Sequence, residues 1–252
     1  MTSPRDAVRG AAGPVGRLGG AFMFATETHA RGAELGLHGW SFYHLGRGGV
    51  LGDCDASVVV AAFGFFPPAL QTKAWDKGRD VMSPTQAAKE YADCCTRYGT
   101  EQFASYAGAG RLADLLTELH EGAGVMGLPL FAGWRALARE TTAPDDGARL
   151  ALALQVGREL RGGAHLVAVA AQGVDPLQAV MSGRYGATNT EFFGWPNTDD
   201  APWPDPDAAK DRMAAAEALT DDLVEPAFAR LDESSRTELV SLLRDLQAAQ
   251  RT

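Results

Sequence analysis

Lysine is scarce in this chain. Only Lys73, Lys77, Lys89 and Lys210 occur in 252 residues, and 32 acidic residues face 23 basic ones, for a formal net charge of −9. Duplex binders neutralise several phosphates with clustered Lys and Arg, so this balance argues against nucleic acid as the partner. Cysteine is nearly absent. Three occur, two of them adjacent (Cys94 and Cys95), which makes neither a disulfide framework nor a zinc spacing and fits a reducing cytoplasm. No apolar run approaches the roughly 18 residues of a membrane-spanning helix. The start, Met1 to Asp6, has no hydrophobic stretch after its charge and does not read as a secretory signal. Also missing are a phosphate-cradling glycine loop, a dinucleotide fingerprint after a strand and a G-x-S-x-G elbow, so nucleotide-driven chemistry and serine hydrolysis are not expected.

What is present reads as helix. No period-two alternation lasts long enough for a strand. Residues 1–12 are Gly- and Ala-rich and are expected to form a flexible arm. From Gly13 to Arg31, Val15, Leu18, Phe22 and Ala25 recur at helical spacing, and Gly36 closes the run. Trp40–Leu45 is a second helix. Asp55 caps a third, which Pro67-Pro68 ends. Ser83-Pro84-Thr85-Gln86 combines an N-cap, a proline at the first helical position and a glutamine two further on, opening a helix to Arg97. Leu112, Leu115, Leu116 and Leu119 form a one-sided stripe, and Gly122 to Leu128 is the candidate domain boundary. Ala148–Leu160 is apolar almost all round, as a buried central helix is.

The chain is organised around Arg158-Glu159-Leu160-Arg161-Gly162-Gly163-Ala164-His165. Two arginines one turn apart run into a glycine pair that is expected to end the helix and deliver His165 to the start of the next. His29 is a similar histidine near the start of the chain, with Glu27 beside it. Each is either a core or interface histidine with a satisfied ring, or an acid–base group, since imidazole suits proton transfer near neutral pH. Arg158 and Arg161 either hold one carboxylate or phosphate together or pair with Glu159, Asp175 or Glu191. Trp40, Tyr43, Phe66, Trp134 and Phe193 are the aromatics assigned to the wall of a pocket. His38, His44 and His120 read as exposed or loop residues. No cofactor is expected. A helical aromatic pocket with a histidine also suits haem, and His29, His165 and Glu27 offer metal-ligand types, but no motif spacing specifies either.

The two halves of the chain share an order of features. Phe65-Phe66 before Pro67 is matched by Phe192-Phe193 before Pro196. Leu115-Leu116-x-x-Leu119 is matched at the same separation by Leu242-Leu243-x-x-Leu246. Ser83-Pro84 answers to Asp205-Pro206, and His29 with Gly36-Leu37 to His165 with Gly173-Val174. Coincidence among amphipathic helices is the alternative to duplication. Duplicated lobes pack about a pseudo-twofold axis, which would bring His29 and His165 to one cavity.

The order helix, Arg-x-x-Arg-Gly-x-x-His, helix, aromatic turn resembles an actinobacterial family of helical proteins labelled helix-turn-helix and distantly similar to MarR-type regulators. That family's signature reads Arg-Glu-His-Arg-Gly-Asp-Gly-His. Here Arg158, Glu159, Arg161, Gly162 and His165 are kept, while Leu160, Gly163 and Ala164 depart from it. The resemblance implies winged-helix-like lobes, a MarR-like tail over 216–246, and a wing after the second histidine. Residues 194–205 stand where the wing belongs and carry no Lys or Arg, which repels a phosphate backbone. The expectation is therefore a mainly α protein: an arm over 1–12 and two pseudo-repeated lobes, 13–128 and 129–252, packed as an intramolecular pseudo-dimer. A small molecule would bind between the lobes. The preferred activity is that of an enzyme of specialised metabolism using His29, His165 and Glu27 in acid–base chemistry (isomerisation, cyclisation, elimination or hydrolysis). The alternatives are a ligand-responsive MarR-like regulator and a non-catalytic partner subunit. Monomer and homodimer both suit the pattern.

Overall fold

The structure is a computed structural model that describes residues 2–250. Among them are thirteen α-helices and no strand: α1 Pro4–Gly20, α2 Thr26–Glu34, α3 Ser41–Gly48, α4 Ala56–Phe63, α5 Pro68–Arg79, α6 Pro84–Phe103, α7 Ala109–Gly122, α8 Pro129–Glu140, α9 Asp146–Ala171, α10 Pro176–Met181, α11 Gly186–Phe192, α12 Lys210–Phe228 and α13 Glu233–Ala249. Where a wing would stand there is one isolated bridge, Thr198 to Ala201. No helix among the described residues is long and apolar enough to cross a membrane.

Several starts follow from their caps. The Ser83 hydroxyl accepts from Gln86 N–H, Asp55 from Ser57 and Asp145 from Ala148, each satisfying a donor that a helix N-terminus leaves open. Gly36 ends α2 at φ +79°, and Leu37 N–H returns to the Gly32 carbonyl, the left-handed close of a helix that glycine permits.

Three expectations are corrected. Residues 4–12 are helix rather than a loose arm, because Ser3 caps α1 through Asp6 N–H and Ala7, Val8 and Ala11 are buried. Arg5 then ties α1 to Asp222 and Glu225 of α12. The helix expected from Gly13 to Arg31 is two helices, interrupted by a 3₁₀ turn at Ala21–Phe24 and extended backbone at Ala25. There Phe22 and Met23 turn into the core while Phe24 swings out. Finally, Gly162-Gly163 does not end a helix. α9 runs through it for 26 residues. Two interior glycines cost about 1 kcal/mol each relative to alanine, and burial along α9 outweighs that.

One main core extends from Ala7 to Leu246 and draws on both halves of the sequence. As expected of a central helix, α9 lies at its middle, against α1, α6, α7, α8 and α12. The partners of α1 are α9, α12 and α13. α9 thus packs on α6 and α7 of the other half as well as on α8 and α12 of its own, and α1 on α12 and α13. The two long helices cross where Gly19 meets Leu154 so closely that a Cβ on Gly19 would collide with the Leu154 carbonyl. A separate small core, Ala168, Val169, Val174, Ala179, Ala209 and Ala216, lies beyond the C-terminal half of α9.

Candidate functional site: an aromatic cleft at the break after α1

The break after α1 opens a cleft of about 630 Å³. Met23, Phe24, Thr28 and His29 line one side, and His38, Gly39, Trp40, Phe42 and Tyr43 the other. Tyr91 of α6 lies at the back and Phe192, the last residue of α11, closes the front. Phe24 and Phe192 are about half exposed (47% and 51%) and meet edge to face, with ring centroids 5.8 Å apart. Trp40 touches Phe192 at 5.3 Å and Tyr43 at 5.4 Å. This volume and an apolar wall with few polar groups are the ordinary features of a small-molecule site. No Asp, Glu, Lys or Arg stands in the wall.

Behind the wall lies a buried charge network. Arg47 grips Glu159 with two parallel bonds of 2.8 Å, and both side chains are almost fully enclosed. The remaining arm of Arg47 donates to the Tyr43 hydroxyl at 3.1 Å, and its guanidinium lies 4.3 Å over the Phe63 ring. Gln155 and Arg158 also donate to Glu159. Burial pushes the Glu159 carboxyl up, but Arg47, with Arg158 and Gln155, more than offsets this and the net shift is downward. Burial likewise pulls the Arg47 guanidinium down, and Glu159 reverses it to a net rise. Such a fork is strong because it is bidentate and satisfied. The Tyr91 hydroxyl, fully buried nearby, has no hydrogen-bond partner among the described residues, and burial holds its pKa well above that of a free tyrosine.

Of the residues assigned to the site from sequence, His29, Trp40 and Tyr43 stand in the cleft wall. Glu27 is exposed on α2 and lines a neighbouring hollow with Arg31 and Arg97. His165 is not in the cleft wall. Midway along the second half of α9, its Nδ1 donates to the Thr220 hydroxyl at 3.0 Å, and it faces Glu217 at 3.7 Å and the Phe65 ring at 5.8 Å. Burial lowers its pKa, partly countered by Glu217. With α9 unbroken, His165 has no helix N-terminus beside it. Arg158 and Arg161 do not converge on one anion: Arg158 bonds Glu159, while Arg161 pairs with Glu217 and Asp221. Trp134 is fully buried with its N–H on the Arg47 carbonyl, and Phe66 stacks on Phe193 at 4.4 Å outside the cleft wall. Among the wall residues that sequence reasoning did not place there are Phe24, Thr28, His38, Tyr91 and Phe192.

His44 and His120, expected at the surface, are buried. Every residue of α3 is buried, so His44 is enclosed by Trp40, Tyr43, Phe63 and Phe66, with Nδ1 donating to the Trp40 carbonyl. Burial pulls its pKa to about 4, and that of His120 to about 3. Both are held neutral. Among the described residues no group of three His, Cys, Asp or Glu side chains is placed to hold a metal ion.

Upstream of Phe192, α10 is capped by Asp175, a tight turn over 182–185 follows, and α11 ends on Phe192 at the cleft. From 185 to 209 the chain carries no Lys or Arg, against Glu191, Asp199, Asp200, Asp205 and Asp207. No curated protein and no solved structure gives a significant match to the chain. The model of a helix-turn-helix family does match, over residues 8–252. That span takes in nearly every helix described above, and the chain belongs to this helix-turn-helix family.

Proposed function

We propose that the chain binds a small molecule in the cleft between α2, α3 and the tip of α11. The observation that carries this reading is Trp40. Four of the five tryptophans, Trp75, Trp134, Trp195 and Trp203, donate their indole N–H to a backbone carbonyl. Trp40 has no such partner among the described residues and faces the cleft. A large aromatic wall in which the Trp40 N–H and the Tyr91 hydroxyl lack partners fits a flat, largely apolar ligand bearing a hydrogen-bond acceptor. A scaffold without a pocket is disfavoured, because a space of this size is more than imperfect packing leaves. Acid–base chemistry shared by His29 and His165 is also disfavoured, since only His29 reaches the cleft. His29 and His38, both in the wall, are the imidazoles available to a bound substrate.

The test is a thermal-shift screen of the full chain against flat aromatic ketones, phenols and carboxylates. A binding class raises the melting temperature, and Trp40→Leu removes the rise. A screen without a shift, or a shift that survives Trp40→Leu, contradicts the reading.

Family membership favours a second reading, a ligand-responsive regulator with MarR-like organisation in which Phe192 links the cleft to α11. It requires duplex binding with a steep salt dependence. The acidic stretch from 185 to 209 opposes it, and a gel-shift titration at two salt concentrations separates the two.

A further inference from the structure

The cleft has a counterpart elsewhere in the chain. If His29 and His165 are equivalent positions, the helices that carry them must cross on a twofold axis at residues with the same separation, because equivalent residues meet on such an axis. Gly19 of α1 lies against Leu154 of α9, within one residue of the separation between His29 and His165. The crossing was not used to align the histidines, so it is an independent check. The paired helices follow the exchange in part, α6 and α7 lying on α9 and α12 and α13 on α1, while α12 also lies along α9 of its own half. The aromatics obey it too. His29 shares the cleft with Phe192, first of the second half's Phe-Phe pair, and His165 faces Phe65, first of the pair in the first half.

We infer that the two halves are related by an internal twofold axis and that the surroundings of His165 are a sealed copy of the cleft, so that one chain binds one ligand. The sealing has a local cause. In the first half the long helix breaks at Ala21–Ala25, which throws Phe24 outward and leaves the cleft beside α2 and α3. In the second half α9 continues, and the space is filled from its own side. Thr220 takes the His165 ring nitrogen, Glu217 stands beside it, and Phe65 covers the ring while resting on the small core of Ala168 and Val169. The groups that occupy the second position belong to the protein; the first position is left for a ligand of the same kind, flat and largely apolar with an acceptor for a donor in the wall.

The sealing can be tested without any ligand, by diethylpyrocarbonate labelling of the full-length chain with each histidine read by mass spectrometry. His29, exposed, labels readily, and His165, only 16% exposed and hydrogen-bonded through Nδ1, labels on the order of tenfold more slowly. His120, fully buried, stays unlabelled and reports that the fold is intact. Phe65→Ala brings His165 to within a few-fold of His29, whereas Phe192→Ala leaves His165 unchanged. If His120 begins to label in Phe65→Ala, Thr220→Ala carries the same expectation. His165 still slow in a folded variant overturns the inference. A second arm rests on the cleft reading of the previous section: titration with the flat anionic dye 1-anilinonaphthalene-8-sulfonate counts one site in the unmodified chain and two in Phe65→Ala. A count that stays at one after His165 has become reactive overturns the equivalence. If the unmodified chain takes up no dye, the cleft reading fails, and labelling still decides the sealing.

Discussion

Around His29 the backbone is interrupted, Phe24 is half exposed against Tyr43 and Phe192, and a cleft lies beside the ring. Around His165 the helix continues through two glycines, and Thr220, Glu217 and Phe65 take up the ring's surroundings. The difference shows that a histidine in a suggestive sequence setting is left facing a cleft only where the backbone makes room. A continuous helix with its neighbours packed in leaves nothing for a ligand to do. The more conspicuous of the two stretches in sequence, the one with paired arginines and glycines, is the filled one.

The buried fork ties these regions together, since Arg47 belongs to the cleft's helix α3 and Glu159 to α9. Breaking it should have the largest effect. Glu159→Gln or Arg47→Met leaves a buried charge without its partner, expected to cost about 3–5 kcal/mol by urea unfolding. Arg47→Met together with Glu159→Leu should recover most of that loss, because an apolar pair of similar volume no longer needs neutralising.

Acid should come next. His44 and His120 are neutral when folded, with pKa about 4 and about 3 against 6.5 when unfolded. Between those values the unfolded chain binds more protons than the folded one. Their contribution is therefore complete above pH 6.5 and is lost as pH falls toward 4, each steepening the loss by up to about 1.4 kcal/mol per pH unit. His120→Phe should flatten the profile measured by unfolding at stepped pH, even if it lowers the plateau.

A smaller effect distinguishes a continuous α9 from a broken one. Gly162 has nothing within 4 Å of where a Cβ would stand. In a continuous helix Gly162→Ala should stabilise by up to about 1 kcal/mol. If the glycine pair closed a helix in a left-handed turn, the same change would destabilise. Smallest of all is Arg161→Ala, whose partly exposed pair with Glu217 should be worth no more than about 1 kcal/mol before any allowance for screening.

Much of the helical organisation was legible because it depends on neighbours in sequence. The Ser83-Pro84 and Asp55 caps, the leucine stripe of α7 and the apolar girth of α9 all stood out. Ser3-Pro4 with Asp6 is the same signal as Ser83-Pro84, but the surrounding Gly and Ala masked it, and α1 was read as an arm. The glycine pair misled in the opposite direction, since local propensity favoured an end that tertiary packing overrode. At the site, His29, Trp40 and Tyr43 were named from the aromatic setting. Phe192 and Tyr91 reach the cleft from distant elements, and Arg47 finds Glu159 across 112 residues. Nothing local marks such partners. His44 looked exposed because α3 is short, but all eight of its residues are enclosed.

The most direct test of the open cleft is calorimetric titration of the full chain with 1-anilinonaphthalene-8-sulfonate, repeated for Phe192→Ala and Phe193→Ala. Phe192 closes the cleft, whereas its neighbour Phe193 stacks on Phe66 outside the wall. The account predicts one site per chain, weakened about tenfold by Phe192→Ala through loss of a packed aromatic contact, and little changed by Phe193→Ala. No binding, or binding indifferent to Phe192, would contradict it.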